Sequence, residues 1–449
     1  MALSQKITTP TCTYEQPLGL FINNQFVKGV EGRTFETINP HNEKPITAVH
    51  EATEKDVDIA VAAARAAFNG PWKHVTPTNR GRMLIKLAEL MEQHSDTLAA
   101  IEALDNGKGL LHRQDRRRQL CWLYQILWRL GGQDSRQGHR HRLRTPLSAL
   151  YVGQLVVEAG FPPGVINIIS GIGRIAGAAI ASHMDIDKVA FTGSTIVGRQ
   201  ILQAAAKSNL KKVTLELGGK SPNIVFNDAD IENAISWVNF GIYFNHGQCC
   251  CAGSRILVEE GIYDKFLERF KARALQNKVG DPFHGDTFQG PQISQIQFDR
   301  IMGYIEEGKA AGAKVEIGGE RLGNQGYYIQ PTIFTNVTED MKIVKEEIFG
   351  PVCSVQKFKD EAEAIEIANN TSYGLAAAVH TTNLNTAIRV SNELKAGTVW
   401  VNNYNMISYQ APFGGFKESG LGRELGEYAL DNYTQVKSVR IRLGDALFG

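Results

Sequence analysis

From Val165 onward, short β-branched runs alternate with helical stretches, and this alternation constrains the fold more than any other feature of the chain. Strands are expected at Val165–Ile169, Lys188–Phe191, Lys212–Leu217, Asn223–Phe226, Arg255–Val258, Val352–Phe358, Ala376–His380 and Thr398–Asn402, with helices such as Glu361–Asn369 and Thr386–Leu394 among the later ones. A strand followed by a helix and another strand returns parallel to the first, with helices covering the sheet, so the pattern predicts an α/β protein with more than one α/β unit. Two further helices are expected earlier, the Ala-rich Glu54–Phe68 and Arg80–Gln93, where Leu84, Leu87 and Met91 recur at helical spacing; both read as packed on a sheet.

Length supports this reading: 449 residues allow two or three domains. The formal net charge of +1 argues against nucleic acid, a membrane surface or a polyanion as partner. That mean conceals a local excess, because Gly109–Arg144 holds nine Arg and no Lys against two Asp. Six cysteines, three of them adjacent at Cys249, Cys250 and Cys251, do not form the framework of a secreted disulfide protein. A reducing, cytoplasmic setting is expected. Met1–Pro10 has neither an apolar core nor an Arg-rich amphipathic pattern, so no targeting segment is read there. No apolar run approaches the roughly 20 residues that a membrane helix requires.

Several short motifs can carry chemistry. Gly171-x-Gly173-x-x-Ala176 follows an expected strand and opens an Ala-rich helix, the setting of a dinucleotide-binding turn, although a plain Gly turn fits equally. Thr192-Gly193-Ser194-Thr195 offers a close backbone approach and hydroxyls that cap a helix or bind phosphate. Three adjacent cysteines are expected to be unable to serve one ion, and no CxxC pair accompanies them, so no metal site is read. A Cys in a Gly-rich turn between helix and strand does suit a nucleophile. Glu216, flanked by Leu215 and Leu217, is a candidate base whose burial would disfavour its charge; a strand-end Glu paired with Lys220 is the plainer reading.

Leu215-Glu216-Leu217-Gly218-Gly219-Lys220-Ser221-Pro222, Gly247-Gln248-Cys249-Cys250-Cys251-Ala252-Gly253-Ser254-Arg255, Glu346-Glu347-Ile348-Phe349-Gly350-Pro351 and Pro412-Phe413-Gly414-Gly415 together resemble the signatures of the NAD(P)-dependent aldehyde dehydrogenase superfamily, over about residues 18–108 and 145–449. The resemblance implies a Rossmann-like cofactor domain (1–108 and 145–218), an α/β catalytic domain (219–419) and a C-terminal oligomerisation arm (420–449). It also implies oxidation of a small-molecule aldehyde with NAD or NADP. Cys250 would attack the carbonyl, and Glu216 would activate the water that hydrolyses the thioester. Gly173, Gly193, Ser194, Leu217, Glu347 and Phe349 would hold the cofactor, while Cys249, Cys251 and Phe413 would line the substrate tunnel. Lys437–Leu443 resembles a strand exchanged between subunits, implying a homo-oligomer.

The chain departs from the family between Asp105–Lys108 and Thr145–Leu147, where family members carry a segment longer by roughly fifty residues. That segment holds the Asn loop donating to the oxyanion, a strand ending in the Lys-x-x-Glu that binds the adenosine ribose, and part of the oligomerisation hairpin. In its place stands the aberrant Gly109–Arg144, read as unstructured. Arg129–His141 can be encoded so that a shifted frame reads Gly-Trp-Ala-Asp-Lys-Ile-Gln-Gly-Lys-Val-Ile-Asp, which is similar to the family here. The resulting alternative is an impaired family member from a frameshifted gene model. A basic nucleic-acid segment using Trp122 and Trp128, and a Cys hydrolase pairing Cys250 with His246, are weaker alternatives.

Overall fold

Alternating burial builds the first strands. In Thr34–Ile38, Phe35 and Thr37 turn inward while Glu36 faces water, the period of two that a half-covered strand requires. Three antiparallel hairpins result: β1 (Ser4–Thr8) with β2 (Thr13–Pro17), β3 (Leu20–Ile22) with β4 (Gln25–Val27), and β5 (Thr34–Ile38) with β6 (Pro45–His50). Asn23 and Asn24 both have positive φ, 55° and 61°, which gives the β3–β4 hairpin a two-residue turn whose twist matches its strands. The structure, a computed structural model, describes residues 2–110 and 145–444. The expectation for the Arg-rich stretch therefore lies, from residue 111 on, outside the described residues.

Glu54–Asn69 and Pro77–Gln93 are helical; Thr76 caps the second by accepting from the Asn79 amide at 3.3 Å, with Pro77 at the first helical position. The buried face of Pro77–Gln93 is Leu87, Leu90 and Met91, whereas Leu84 is exposed, so the expected stripe starts one turn too early. This helix packs with Ser95–Asn106 and Leu147–Glu158 rather than on one of the larger sheets. Leu150, Leu155, Leu98, Ile101, Phe21 and Phe35 fill the shared core.

The second half is dominated by strands with no exposed face. β9 (Pro222–Val225) and β14 (Ala376–His380) are buried at every position, which only a sheet covered on both sides permits. The order is β11 (Lys314–Ile317), β12 (Thr332–Thr335), β13 (Val352–Phe358), β10 (Arg255–Glu259), β9, β14, β15 (Thr398–Val401), parallel except for β11 against β12. Val225, Ile256 and Val258 meet Ile235, Val238, Phe266 and Phe270 of the helices Ile231–Tyr243 and Tyr263–Leu275. On the opposite face Ile224, Leu257 and Val379 meet Ala364, Ala368 and Val390 of Glu361–Asn369 and Leu384–Glu393. Each large apolar side chain buried there contributes about 1.5–3 kcal/mol of transfer free energy.

A smaller sheet carries the other half of the site. β7 (Lys188–Thr192) and β8 (Lys212–Glu216) run parallel around the crossover helix Thr195–Lys207, and β16 (Gly420–Leu421) adds antiparallel to β8. The expected strand Val165–Ile169 is not in it. Only Ile168 forms a bridge, to Phe21 of the N-terminal unit. A strand exists through its ladder, and among the described residues β7 stands at the edge of its sheet with no second neighbour for another strand to follow. The glycine motif behind it is also altered: Gly173–Gly177 forms a single π-turn leading into Ala178–Ser182. Among the described residues, no helix is long and apolar enough to cross a membrane.

Candidate active site

The cysteine triplet sits where the helix Ile231–Tyr243 gives way to β10. Asn245, His246 and Gly247 adopt left-handed backbone in succession, with φ of 51°, 57° and 71°, and reverse the chain. His246 is buried and its Nδ1 accepts from the Gly290 amide at 2.9 Å, which ties it to the 290 loop rather than offering it to Cys250 as a hydrolase would need. At Gly247 a Cβ would come within 2.1 Å of the Gly350 carbonyl oxygen, so only glycine lets this turn lie against Gly350-Pro351. That approach brings the segment holding Glu347 and Phe349 beside the cysteines. The Tyr404 hydroxyl donates to the Cys251 carbonyl at 2.6 Å and the Ala252 amide to the Cys249 carbonyl at 3.0 Å, which fixes the loop.

Within it, Cys249 and Cys250 are half-buried and Cys251 is buried. Their three Sγ atoms all lie within 4.8 Å of one another, and Cys249 and Cys251 approach to 3.5 Å. Adjacency in sequence thus does not keep the three thiols apart: the turn is tight enough to gather their side chains. The thiol of Cys251 is pushed well above its ordinary range by hydrogen bonds to Cys249 and Cys250 and by burial.

Glu216 ends β8, and its position is fixed on both sides. Its carbonyl accepts from the Gly193 amide at 3.0 Å, and it is registered against Gly420 of β16. The side chain is 4% exposed, and Oε2 has no hydrogen-bond partner. Burial, then the charges of Cys250 and Glu424, drive its pKa well above the carboxylate range, while Arg423 opposes them. Cys250 is thereby within electrostatic range of a carboxyl group that holds its proton more tightly than an exposed one. The pairing with Lys220 is not formed. Lys220 is itself buried with no partner at Nζ, and burial, then Arg255, lower its pKa to about 7.

The expected cofactor residues fall beside this pair, with one outlier. Gly193 and Ser194 join β7 to the helix Thr195–Lys207, and the Ser194 hydroxyl accepts from the Val197 amide at 3.5 Å. Leu217 packs under Gly198 of that helix, and its amide donates to the Ser419 carbonyl at 2.8 Å. Glu347 Oε1 accepts from the Gly219 amide at 3.3 Å, and a Cβ at Gly218 would stand 2.3 Å from Glu347 Oε2. Phe349 has φ of 61°, and Gln297 donates to its carbonyl at 2.9 Å. Gly173, by contrast, opens the π-turn next to Gly171, which itself packs against Ala52.

Phe413 joins Cys249, Cys250 and Cys251 in one apolar cluster that also holds Trp237, Trp400, Tyr404 and Leu425. Those four were not singled out from the sequence, nor were Arg423 and Glu424 beside Glu216. Trp237 lies in the same helical run as Ile235 and Val238, which was the one available signal.

The chain matches the aldehyde dehydrogenase family over residues 26–124 and 140–439, and the match breaks inside the Arg-rich stretch. It is 67% identical to an aldehyde dehydrogenase of Emericella nidulans, covering 98% of both chains; that alignment runs over 490 positions, so the relative carries residues this chain lacks. It is 64% identical to an aldehyde dehydrogenase of Aspergillus niger, over 98% of this chain and 99% of that one. Among solved structures, the NAD+ complex of an aldehyde dehydrogenase from Bacillus cereus superposes with a TM-score of 0.88 at 45% identity, over 95% of this chain and 97% of that one.

Proposed function

The chain belongs to the aldehyde dehydrogenase family, and from that premise we propose that it oxidises a small-molecule aldehyde to the carboxylic acid with NAD, Cys250 acting as nucleophile and Glu216 as base. One observation carries the assignment of roles: a buried carboxyl with an unpartnered oxygen lies within electrostatic range of the Cys250 thiol.

The residues present fit the nicotinamide side of the cofactor. Gly218 leaves the space that Glu347 occupies, which sets that carboxylate against the Gly218–Gly219 backbone, where it can hold a ribose. Ser194 and the first amides of Thr195–Lys207 form a donor set suited to a pyrophosphate. When bound, NAD supplies the hydride acceptor. Phe349 would pack beside the nicotinamide. On the adenosine side the Lys-x-x-Glu strand is missing from the sequence, so binding rests on the residues just named together with Gly193, Leu217 and Gly173.

Cys250, as thiolate, adds to the aldehyde carbonyl to give a thiohemiacetal, which loses hydride to become a thioester on Sγ. Glu216 then takes a proton from the attacking water; the C–S bond breaks and the carboxylic acid leaves. A neutral Glu216 cannot do this, so its raised pKa sets a lower pH limit on turnover. Phe413, Cys249 and Cys251 line the approach to Cys250. The division into a cofactor domain (1–108 and 145–218), a catalytic domain (219–419) and a C-terminal arm belongs to the same reading. Val439, Ile441 and Leu443 are all exposed, which supports an arm whose apolar side is completed by a second subunit.

A specific feature favours a second reading of this chain as written. The family segment with the oxyanion Asn is replaced by the Arg-rich stretch, consistent with a frameshifted gene model and an impaired enzyme. Sequencing the transcript across codons 100–150 separates the two, since an unshifted message encoding the Arg run removes the frameshift. For the primary reading the test is NAD reduction with acetaldehyde by the purified chain. Activity lost in Cys250→Ala supports it; activity retained in that variant overturns it.

A further inference from the structure

We infer that Cys249, Cys250 and Cys251 form a binding site for one thiophilic divalent cation, of the zinc or cadmium class, and that its occupancy switches off the Cys250 nucleophile reversibly.

The geometry comes first. Three sulphur atoms within 4.8 Å of one another, with one pair at 3.5 Å, bracket the spacing an ion would impose. With metal–sulphur bonds of about 2.3 Å, sulphurs around a tetrahedral ion stand about 3.8 Å apart, so shifts of about 1 Å or less complete the set. A fourth donor is at hand. Asn405 Oδ1 accepts from the Cys251 thiol at 3.3 Å and is a neutral oxygen ligand once that proton has gone; water reaching the half-buried Cys249 is the other option. The loop is also held in place, by Tyr404 on the Cys251 carbonyl and by Ala252 on the Cys249 carbonyl. Binding therefore orders little that is not already ordered.

Charge bears on the same site. Cys250 interacts electrostatically with Glu216, which also feels Glu424 and Arg423, and hydrogen bonds to Cys249 and Cys250 together with burial hold the Cys251 thiol well above its ordinary range. A divalent cation reverses that balance. Each coordinating thiol releases its proton to solvent as the metal–sulphur bond forms, so three thiols and one dication give three protons and a complex of charge −1. Nothing is oxidised. Binding is accordingly favoured by rising pH and undone by chelators. The inhibitory consequence rests on Cys250 being the nucleophile; the binding itself does not.

The test uses the full chain, reduced and metal-free, titrated anaerobically with Cd2+ while the sulphur-to-cadmium charge-transfer band is followed in the near ultraviolet. One ion per chain is expected, with the band falling by about a third in each of Cys249→Ser, Cys250→Ser and Cys251→Ser, and unchanged in Cys12→Ser and Cys121→Ser. A band that survives all three triplet substitutions, or that falls equally in the two controls, overturns the site. So does loss only in Cys250→Ser, which is single-thiol binding. Should a variant fail to fold, the wild-type chain still decides: Zn2+ must protect the three triplet thiols together from iodoacetamide, by peptide mass spectrometry, with release on adding EDTA. Protection confined to other cysteines, or thiols that EDTA does not release, as in a Cys249–Cys251 disulfide, sinks the proposal. Activity remaining in Cys250→Ala would fail the nucleophile assignment alone and leave the titration standing.

Discussion

Arg255 should hold the wall behind the cysteines, and replacing it by Met tests this. The side chain is 2% exposed and makes three charge-assisted hydrogen bonds, to the Lys220 carbonyl at 2.9 Å, the Ile367 carbonyl at 2.9 Å and the Ala368 carbonyl at 2.7 Å. Burial lowers its pKa only to about 10, so it remains a cation at neutral pH. Met keeps the apolar stem but removes all three donors. The Ile367 carbonyl still accepts from the Asn370 amide, whereas Lys220 and Ala368 retain no other donor at their carbonyls among the described residues. Two orphaned carbonyls at about 1–3 kcal/mol each, less the part of the guanidinium's burial cost that is recovered, give a loss of about 2–4 kcal/mol. For a unit the size of the seven-stranded half this is on the order of a 10 °C fall in melting temperature by calorimetry. Arg255→Lys, which can replace one donor, should fall between. The same change frees the backbone at Lys220, next to the Gly219 that grips Glu347, so NAD affinity should weaken along with stability. A melting temperature unchanged in Arg255→Met would show that those carbonyls find water and that the reasoning is wrong.

Glu216→Gln should reduce kcat by about 100-fold or more and leave an acyl adduct on Cys250 detectable by intact mass, and it should remove the acid limb of the wild-type pH profile; an unaltered profile counts against the base assignment. Gly218→Ala sets a Cβ 2.3 Å from Glu347 Oε2, so the carboxylate must move and NAD binding should weaken about tenfold in a fluorescence titration with little change in kcat. His380, whose pKa burial lowers to about 4, stays neutral in the native state while the unfolded chain takes up a proton below pH 6.5. Stability should therefore fall by about 2 kcal/mol between pH 7.5 and 5 through this residue alone, and His380→Leu should lose that share of the decline in urea midpoints.

How much of this was legible in the sequence depends on the kind of contact. Val352–Phe358, Ala376–His380 and Glu361–Asn369 have the bounds expected, because apolar runs flanked by turn residues carry their own signal. Val165–Ile169 has the same composition and is no strand, since a ladder partner is not encoded locally. The burial of Glu216 was readable from Leu215 and Leu217. Its approach to Arg423 and Glu424 was not, because it arises from β16 folding back onto β8 across some two hundred positions. The gathering of three sulphurs needed the left-handed turn at Asn245 and His246, which no propensity scale anticipates.

The segment that family members carry between residues 108 and 145 leads to the last prediction. On the proposed reading, Gly193, Ser194, Glu347 and Phe349 would hold the nicotinamide side, whereas the sequence lacks the Asn loop and the Lys-x-x-Glu that the family resemblance implies for the oxyanion and the adenosine ribose. These two losses act on different constants. An absent oxyanion donor costs about 100- to 1,000-fold in kcat, about 2.7–4 kcal/mol, and leaves ground-state binding almost untouched. An absent ribose ligand raises the Kd for NAD and leaves the chemical step alone. β7 stands at the edge of its sheet among the described residues, so a restored strand has an open ladder to join. Replacing Gly109–Arg144 by the full family segment should therefore raise kcat and tighten NAD together. Restoring the Asn by mutation elsewhere in the loop should do neither, because a donor without its supporting strand is misplaced. A repaired chain with the kcat of the original would mean that the Cys250 loop already supplies its own oxyanion donors, and that the missing segment serves assembly rather than chemistry.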